Sequence, residues 1–154
     1  MKLSDLIKQE QFKSASHEAM LNVLATSSWI FNELAATMAP YGITPAQYNV
    51  LRILRGSHPT MLTCSALGQR LLDRTPDVTR LLNRLARAGL ITRARAKHDR
   101  RVVEVGITDE GLALLGRMHE AIEAAEARLM HHLSPDEHRH LSRLLERIRA
   151  DQVA

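Results

Sequence analysis

Apolar residues along this chain recur mostly at helical intervals, and the breaks in that rhythm divide it into elements. Leu21, Leu24, Ile30, Phe31, Leu34 and Met38 predict a long helix over about 15–38, ended by Pro40-Tyr41-Gly42. A second helix is predicted from 45 to about 55, closed by the turn cluster Gly56-Ser57-His58-Pro59. A short third helix follows over about 64–72 with Thr63 as its cap. At Leu90 the period changes: Ile91 to Arg95 alternate, a polar stretch intervenes, and Val103, Val105 and Ile107 recur at every second position. This predicts one small hairpin, too little sheet to stand without helices beside it. Thr108-Asp109-Glu110-Gly111 then opens a helix whose Leu112, Leu115, Ile122, Leu129 and Leu133 form one stripe, and a last helix carries Leu141, Leu144, Leu145 and Ile148.

Three helix starts share one form: Thr44-Pro45, Thr75-Pro76 and Ser134-Pro135. In each, a hydroxyl is placed to cap free N–H groups, and proline takes the first helical position, where its missing N–H costs nothing. Thr44 to Gln47 and Ser134 to Glu137 also have capping-box spacing. Helices are therefore expected to start near 45, 76 and 135. Three helices followed by a hairpin make a winged helix-turn-helix. The expected fold class is mainly α with a small β-hairpin wing, flanked by N- and C-terminal dimerisation helices. It is a single domain over 1–154, with the helix-turn-helix and wing at about 43–111 and the dimerisation helices at about 5–38 and 112–150. The terminal helices are assigned to dimerisation because they carry more apolar surface than one small domain can cover.

Charge sharpens this picture. The chain of 154 residues has a net charge of +4, yet residues 70 to 101 hold ten basic residues against three acidic ones, leaving a balance of −3 elsewhere. A basic block within a mildly acidic protein is the footprint of a polyanion partner. The helix after Thr75 divides accordingly: Val78, Leu81, Leu82 and Leu85 fall on one side, and Pro76, Arg80, Asn83, Arg84 and Arg87 on the other. Residues on the first turns of a recognition helix reach base edges, so Pro76, Asp77, Thr79, Arg80 and Asn83 are candidate base contacts, Arg84 and Arg87 are assigned to phosphates, and Thr75 at the helix start is counted with the DNA-binding residues. Asp77 either accepts from a cytosine amine or, as second helical residue, favours the helix dipole. The hairpin tip, Lys97-His98-Asp99-Arg100-Arg101, is too polar for a core, and its basic groups suit a narrow minor groove. Asp99 is expected to hold the Arg101 guanidinium in place.

The run from Ile43 to Leu114 resembles the MarR (multiple antibiotic resistance regulator) family. The resemblance is carried by Thr44-Pro45-Ala46-Gln47-Tyr48, by Val78-Thr79-Arg80-Leu81-Leu82-Asn83-Arg84-Leu85 with Gly89-Leu90-Ile91, by Asp99-Arg100-Arg101, and by Ile107-Thr108-Asp109-Glu110-Gly111. These four stand in order and at the family's spacing. The resemblance implies a triangular homodimer held by the first and last helices. Such a dimer binds a pseudo-palindromic double-stranded DNA operator, commonly as a repressor relieved by a small-molecule effector or by oxidation. It also directs attention to the first two helices for an effector crevice, where Trp29, Phe31, Met38, Tyr41 and Tyr48 gather along the sequence. His119 and Glu126 interrupt the stripe of the fifth helix and face either that crevice or a dimer partner.

Other chemistries find little support. There is no nucleophile elbow, phosphate-binding glycine loop or zinc-protease motif, so no enzyme activity and no cofactor are expected. His131-His132 and His138-Arg139-His140 do not share a helical face, and no metal site is expected. The only cysteine, Cys64, pairs with nothing in the chain and reads as a buried or incidental thiol; redox-sensing members of the family carry theirs in the first helix. With neither a secretory leader nor a membrane-spanning run, a cytoplasmic location and no membrane partner are expected. The alternative function is a winged-helix module for protein assembly, which has no reason to collect cations on the recognition helix and wing.

Overall fold

A computed structural model describes residues 1–72, 77–96, 99 and 101–151 of the chain. In order these form α1 (Leu3–Ile7), α2 (Ala15–Met38), a 3-10 turn (Ala39–Tyr41), α3 (Pro45–Ser57), β1 (Leu62–Thr63), α4 (Cys64–Gly68), α5 (Val78–Arg87), β2 (Ile91–Arg95), β3 (Val103–Ile107), α6 (Asp109–Met130) and α7 (Pro135–Ile148). Among the described residues, no helix is long and apolar enough to cross a membrane.

Two of the three hydroxyl-proline starts form as expected. The Gln47 N–H donates to Thr44 Oγ1 at 3.3 Å while the Thr44 N–H donates to Gln47 Oε1 at 2.9 Å. At α7 the Ser134 N–H donates to Glu137 Oε2 at 2.7 Å and the Glu137 N–H to Ser134 Oγ at 3.4 Å. The third start differs. Helix α5 begins at Val78, and Asp77 is its cap, accepting from the Arg80 N–H at 3.1 Å. Aspartate caps as well as threonine, and at 77 it sits three residues before an available N–H. Thr75 and Pro76 lie outside the described residues.

Three further differences have simple causes. The five-residue α1 is too short for periodicity to announce; it packs on α2, and its Leu3 is buried. Helix α4 stops at Gly68 rather than near 72, where bonds from Gln69 N–H to Ser65 O and Arg70 N–H to Leu67 O close a tighter turn. Among the described residues the sheet has three strands, not two: its order is β1-β3-β2, all antiparallel, with Leu62 opposite Val105 and Ile91 opposite Ile107. The added strand pairs the second edge of β3, which a lone hairpin would leave open.

One core unites these elements. Val50, Leu51 and Leu54 of α3 meet Leu67 of α4, Leu81, Leu82 and Leu85 of α5, Val105 of β3, and Leu114, Leu115, Met118 and Ile122 of α6. Burying a leucine or methionine side chain of this kind contributes roughly 1.5–3 kcal/mol. The buried face of α6 is thus Leu114, Leu115, Met118, Ile122 and Ala125, rotated from the stripe expected; Leu112, Leu129 and Leu133 are only half-buried. Seven-residue spacing picks out one line along a helix, whereas packing on α2 and α3 uses the wider face of three- and four-residue steps.

The return from the sheet into α6 is the tightest point. Helix α5 ends with Gly89 at φ +71°, and the Leu90 N–H reaches back to Leu85 O at 3.0 Å, a Schellman closure that favours glycine. The Thr108 N–H donates to Leu90 O at 3.1 Å. Its hydroxyl donates to Gly89 O at 2.7 Å and accepts from the Gly111 N–H at 3.1 Å. A Cβ on Gly111 would lie 2.3 Å from Leu90 O and 2.7 Å from Ile107 Cγ1, so this crossing admits only glycine.

Gly111→Ala is accordingly expected to lower stability by about 1–3 kcal/mol. Gly116→Ala lies on the same helix with nothing within 4 Å of its would-be Cβ, and should raise stability by about 0.5–1 kcal/mol. Urea unfolding midpoints check both signs.

A second expectation concerns acid. The Ser134 N–H, then the Ser134 hydroxyl, and the charge of His138 hold the Glu137 carboxyl below its ordinary 4.5. A depressed folded value means that the stabilisation is present above the unfolded glutamate value and is lost as pH falls through the lowered one. Protection of the first-turn amides of α7, taken relative to the intrinsic exchange rate at each pH, should therefore fall as the pH drops below the ordinary glutamate value. Glu137→Gln keeps a capping-box acceptor and should remove this acid dependence.

Candidate nucleic-acid interface

Helix α5 presents two faces of opposite character. Leu81, Leu82 and Leu85 are buried in the core. On the other side Asp77, Thr79, Arg80, Asn83, Arg84 and Arg87 line one shallow concavity open to solvent. Arg80, Arg84 and Arg87 are spaced at one and two helical turns, so their guanidinium groups share a single stripe. With one face fixed by leucines, the other cannot turn inward. Of the expected α5 contacts, Thr79, Arg80, Asn83, Arg84 and Arg87 thus occupy one surface. Asp77 lines it too, but one carboxylate oxygen is engaged as the cap of the helix, a role different from that of a second helical residue.

The wing lies beside this surface. Strands β2 and β3 pair from Ile91 opposite Ile107 out to Arg95 opposite Val103, and the Ala96 N–H closes the ladder on Val102 O at 2.9 Å. At the tip, Asp99 Oδ1 accepts from the backbone N–H of Arg101 at 2.9 Å, and the Val102 N–H donates to Asp99 O at 3.0 Å. This corrects the expectation for Asp99: its bond goes to the main chain of Arg101, shaping the turn, and not to the guanidinium. An aspartate two residues ahead of an amide commonly closes such a turn. Arg101 is exposed at this tip, whereas Lys97, His98 and Arg100 lie outside the described residues.

A further residue belongs to this surface. Arg93 of β2 donates from Nη1 to Asn83 Oδ1 of α5, with both side chains at the solvent-facing edge. In the sequence it counted only toward the basic block. The signal was its place two residues after the buried Ile91, which puts both on the strand face turned toward α5. Arg95 follows on the same face, farther out along the wing.

The remaining candidates are dispersed. Met38 is buried in the core, and Tyr41 and Tyr48 pack against it from half-buried positions. Trp29, nine residues from Met38 and so on the opposite side of α2, is 51% exposed, and Phe31 is 55% exposed. His119 is exposed and pairs with Glu123 one turn on, at 3.4 Å, while Glu126 faces solvent. His131 and His138 are engaged with carbonyls at the end of α6: His131 Nδ1 lies 2.7 Å from Arg128 O and His138 Nε2 3.1 Å from Met130 O. Cys64 is half-buried against the core in the first turn of α4. Among the described residues, no group of three or more His, Cys, Asp or Glu is arranged to hold a metal ion.

Comparison with known proteins bears on this arrangement. Residues 41–102 match the model of the MarR family. The HTH-type transcriptional repressor MdtR of Bacillus subtilis is 31% identical over 120 residues, which cover 78% of this chain and 76% of that protein. The chain belongs to the MarR family. Two solved members share its shape. The MarR transcription factor of Planctomyces limnophilus is 36% identical, with a TM-score of 0.70 over 88% of this chain and 98% of its own. A mutant MarR from Escherichia coli complexed with operator DNA is 27% identical, with a TM-score of 0.74 over 82% of this chain and 89% of its own. The MarR relatives are named as transcriptional regulators, and the winged helix-turn-helix architecture is common to this chain and to them.

Proposed function

We propose that this chain is a homodimeric, sequence-specific DNA-binding regulator of transcription, acting as a repressor on a pseudo-palindromic operator. The single observation that carries the reading is the outward face of α5, where three arginines and an asparagine stand on a helix whose other face is locked into the core. A helix of this kind fits the major groove, Arg80 and Asn83 reading base edges while Arg84 and Arg87 meet phosphates. The wing brings Arg101 beside it toward the adjacent minor groove. Solved MarR with operator DNA and the repressor name of MdtR support the partner and the sign of regulation.

The homodimer is supported by surface that one copy leaves open. Leu6, Leu24 and Phe31 are more than half exposed near the N-terminus, Ile148 is 70% exposed on α7, and α7 buries no residue at all within the single chain. Large apolar side chains on terminal helices mark an interface. Relief of repression by a small-molecule effector or by oxidation completes the proposal. Tyr41 and Tyr48 are the half-buried aromatics available to a ligand near α3, and Cys64 is the thiol available to an oxidant.

Retention of duplex DNA in a gel tests the core of this reading. With roughly 6–10 phosphates contacted, affinity should fall on the order of 10³-fold or more between 50 and 200 mM salt. Arg80→Ala should lose about 1–3 kcal/mol and relax preference at one base pair per half-site, whereas Arg87→Ala should weaken all sequences alike. A flat salt response, or identical selectivity in the two variants, contradicts the assignment and favours a protein-assembly module. Deleting residues 134–154 should give monomers, and a truncated chain that still sediments as an unchanged dimer would refute the role of α7.

A further inference from the structure

We infer that Arg93 is a positioning residue that determines which bases Asn83 can read. This inference rests on the proposal that α5 enters the major groove, and adds what the wing contributes to its selectivity.

A guanidinium has donors and no acceptor, so the side of the Asn83 amide turned toward Arg93 must be its oxygen. The bond is charge-assisted and stronger than a neutral one, which holds the amide in that orientation. Arg93 itself is well placed to act as a fixed support. It stands opposite Val105 in the ladder and two residues from Ile91, which is 3% exposed, so its backbone is tied to the core rather than to the wing tip.

With Oδ1 held by Arg93, the other half of the amide is Nδ2, which only donates, and any base donor must share Oδ1 with the guanidinium. A free asparagine recognises adenine by using both halves of its amide, accepting from N6 and donating to N7. Donation alone matches edges that offer acceptors, O6 and N7 of guanine or O4 of thymine, while adenine keeps only the bond to N7 and loses the two-bond match. Arg93 therefore shifts the preference of Asn83 from adenine toward guanine or thymine. The two residues lie ten positions apart on different elements, so the pairing exists only in the folded chain.

The test is selection of bound duplexes from a random library by the full-length protein and by Arg93→Met, Asn83→Ala and the double variant. Arg93→Met should raise adenine at one base pair per half-site by on the order of tenfold relative to guanine and thymine, and leave other positions as they were. Asn83→Ala should flatten that position, and the double variant should give the same profile as Asn83→Ala alone. A uniform loss of affinity with an unchanged base profile would overturn the proposal, because it is what a plain phosphate contact produces. A change of profile that persists without Asn83 would overturn it as well.

The contact is also read without DNA, from the side-chain amide resonances of Asn83 in the free protein. They should move in Arg93→Met, and unchanged resonances would show that the orienting bond is absent. Failure of the unaltered protein to retain any duplex at low salt would overturn the reading beneath, and the resonances would still report on the bond itself.

Discussion

The surface that this chain offers to a partner depends on one crossing of the backbone, where the end of the sheet passes over the end of α5. Thr108 links three things there: its N–H holds the Leu90 carbonyl, its hydroxyl donates to Gly89 and accepts from Gly111, and the bond to Gly111 opens α6. The absence of a side chain at Gly111 lets the helix approach the Leu90 carbonyl. Because α5, both long strands and α6 meet at this point, the pitch of the exposed helix relative to the wing is set by hydrogen bonds between main-chain groups and one threonine. Arginines can then vary their rotamers without the platform moving.

A second constraint is the division of unfinished surface. The middle of the chain buries most of its large apolar side chains, with Val50, Leu51, Leu67, Leu85, Val105 and Met118 fully buried and Leu72 the exception, and the outward face of α5 is cationic. Its ends are the reverse, leaving apolar side chains of α1, α2 and α7 in solvent. Cations keep the central surface hydrated until a polyanion displaces water and counterions. The terminal helices have no such tolerance, since exposed leucine and isoleucine gain by meeting a like surface. The middle of the chain and its terminal helices thus favour different kinds of contact, and α6, spanning from the junction at Gly111 to the corner at His131, mechanically joins them.

The wing and α5 are also joined directly, by Arg93 and Asn83. A long-range bond between two exposed polar side chains contributes little to stability by itself. Its effect lies in orientation: it selects one of two faces of an amide whose halves have opposite hydrogen-bonding character. Small structural terms of this kind alter recognition without altering the fold.

Much of this was determined by the sequence alone, wherever the deciding interaction is local. The caps at Thr44 and Ser134, the span of α2, the amphipathic split of α5 and the alternation from Ile91 to Ile107 follow from contacts within four residues or from a simple period, and they stand where the pattern put them. Tertiary structure decided the rest. Strand β1 has two residues, too few to show an alternation, and exists because β3 offers it an edge. The face that α6 buries follows from the helices it meets, and so differs from the stripe drawn by its leucines. Asp77 and Thr75 were both competent caps, and Asp77 took the role at the start of α5. By spacing alone Asp99 could bond either the guanidinium or the backbone N–H of Arg101, and the tip turn gave it the backbone one. The link from Arg93 to Asn83 and the exclusion of any side chain at Gly111 depend on how closely separate elements approach, a distance set by the packed core and by no single stretch of chain.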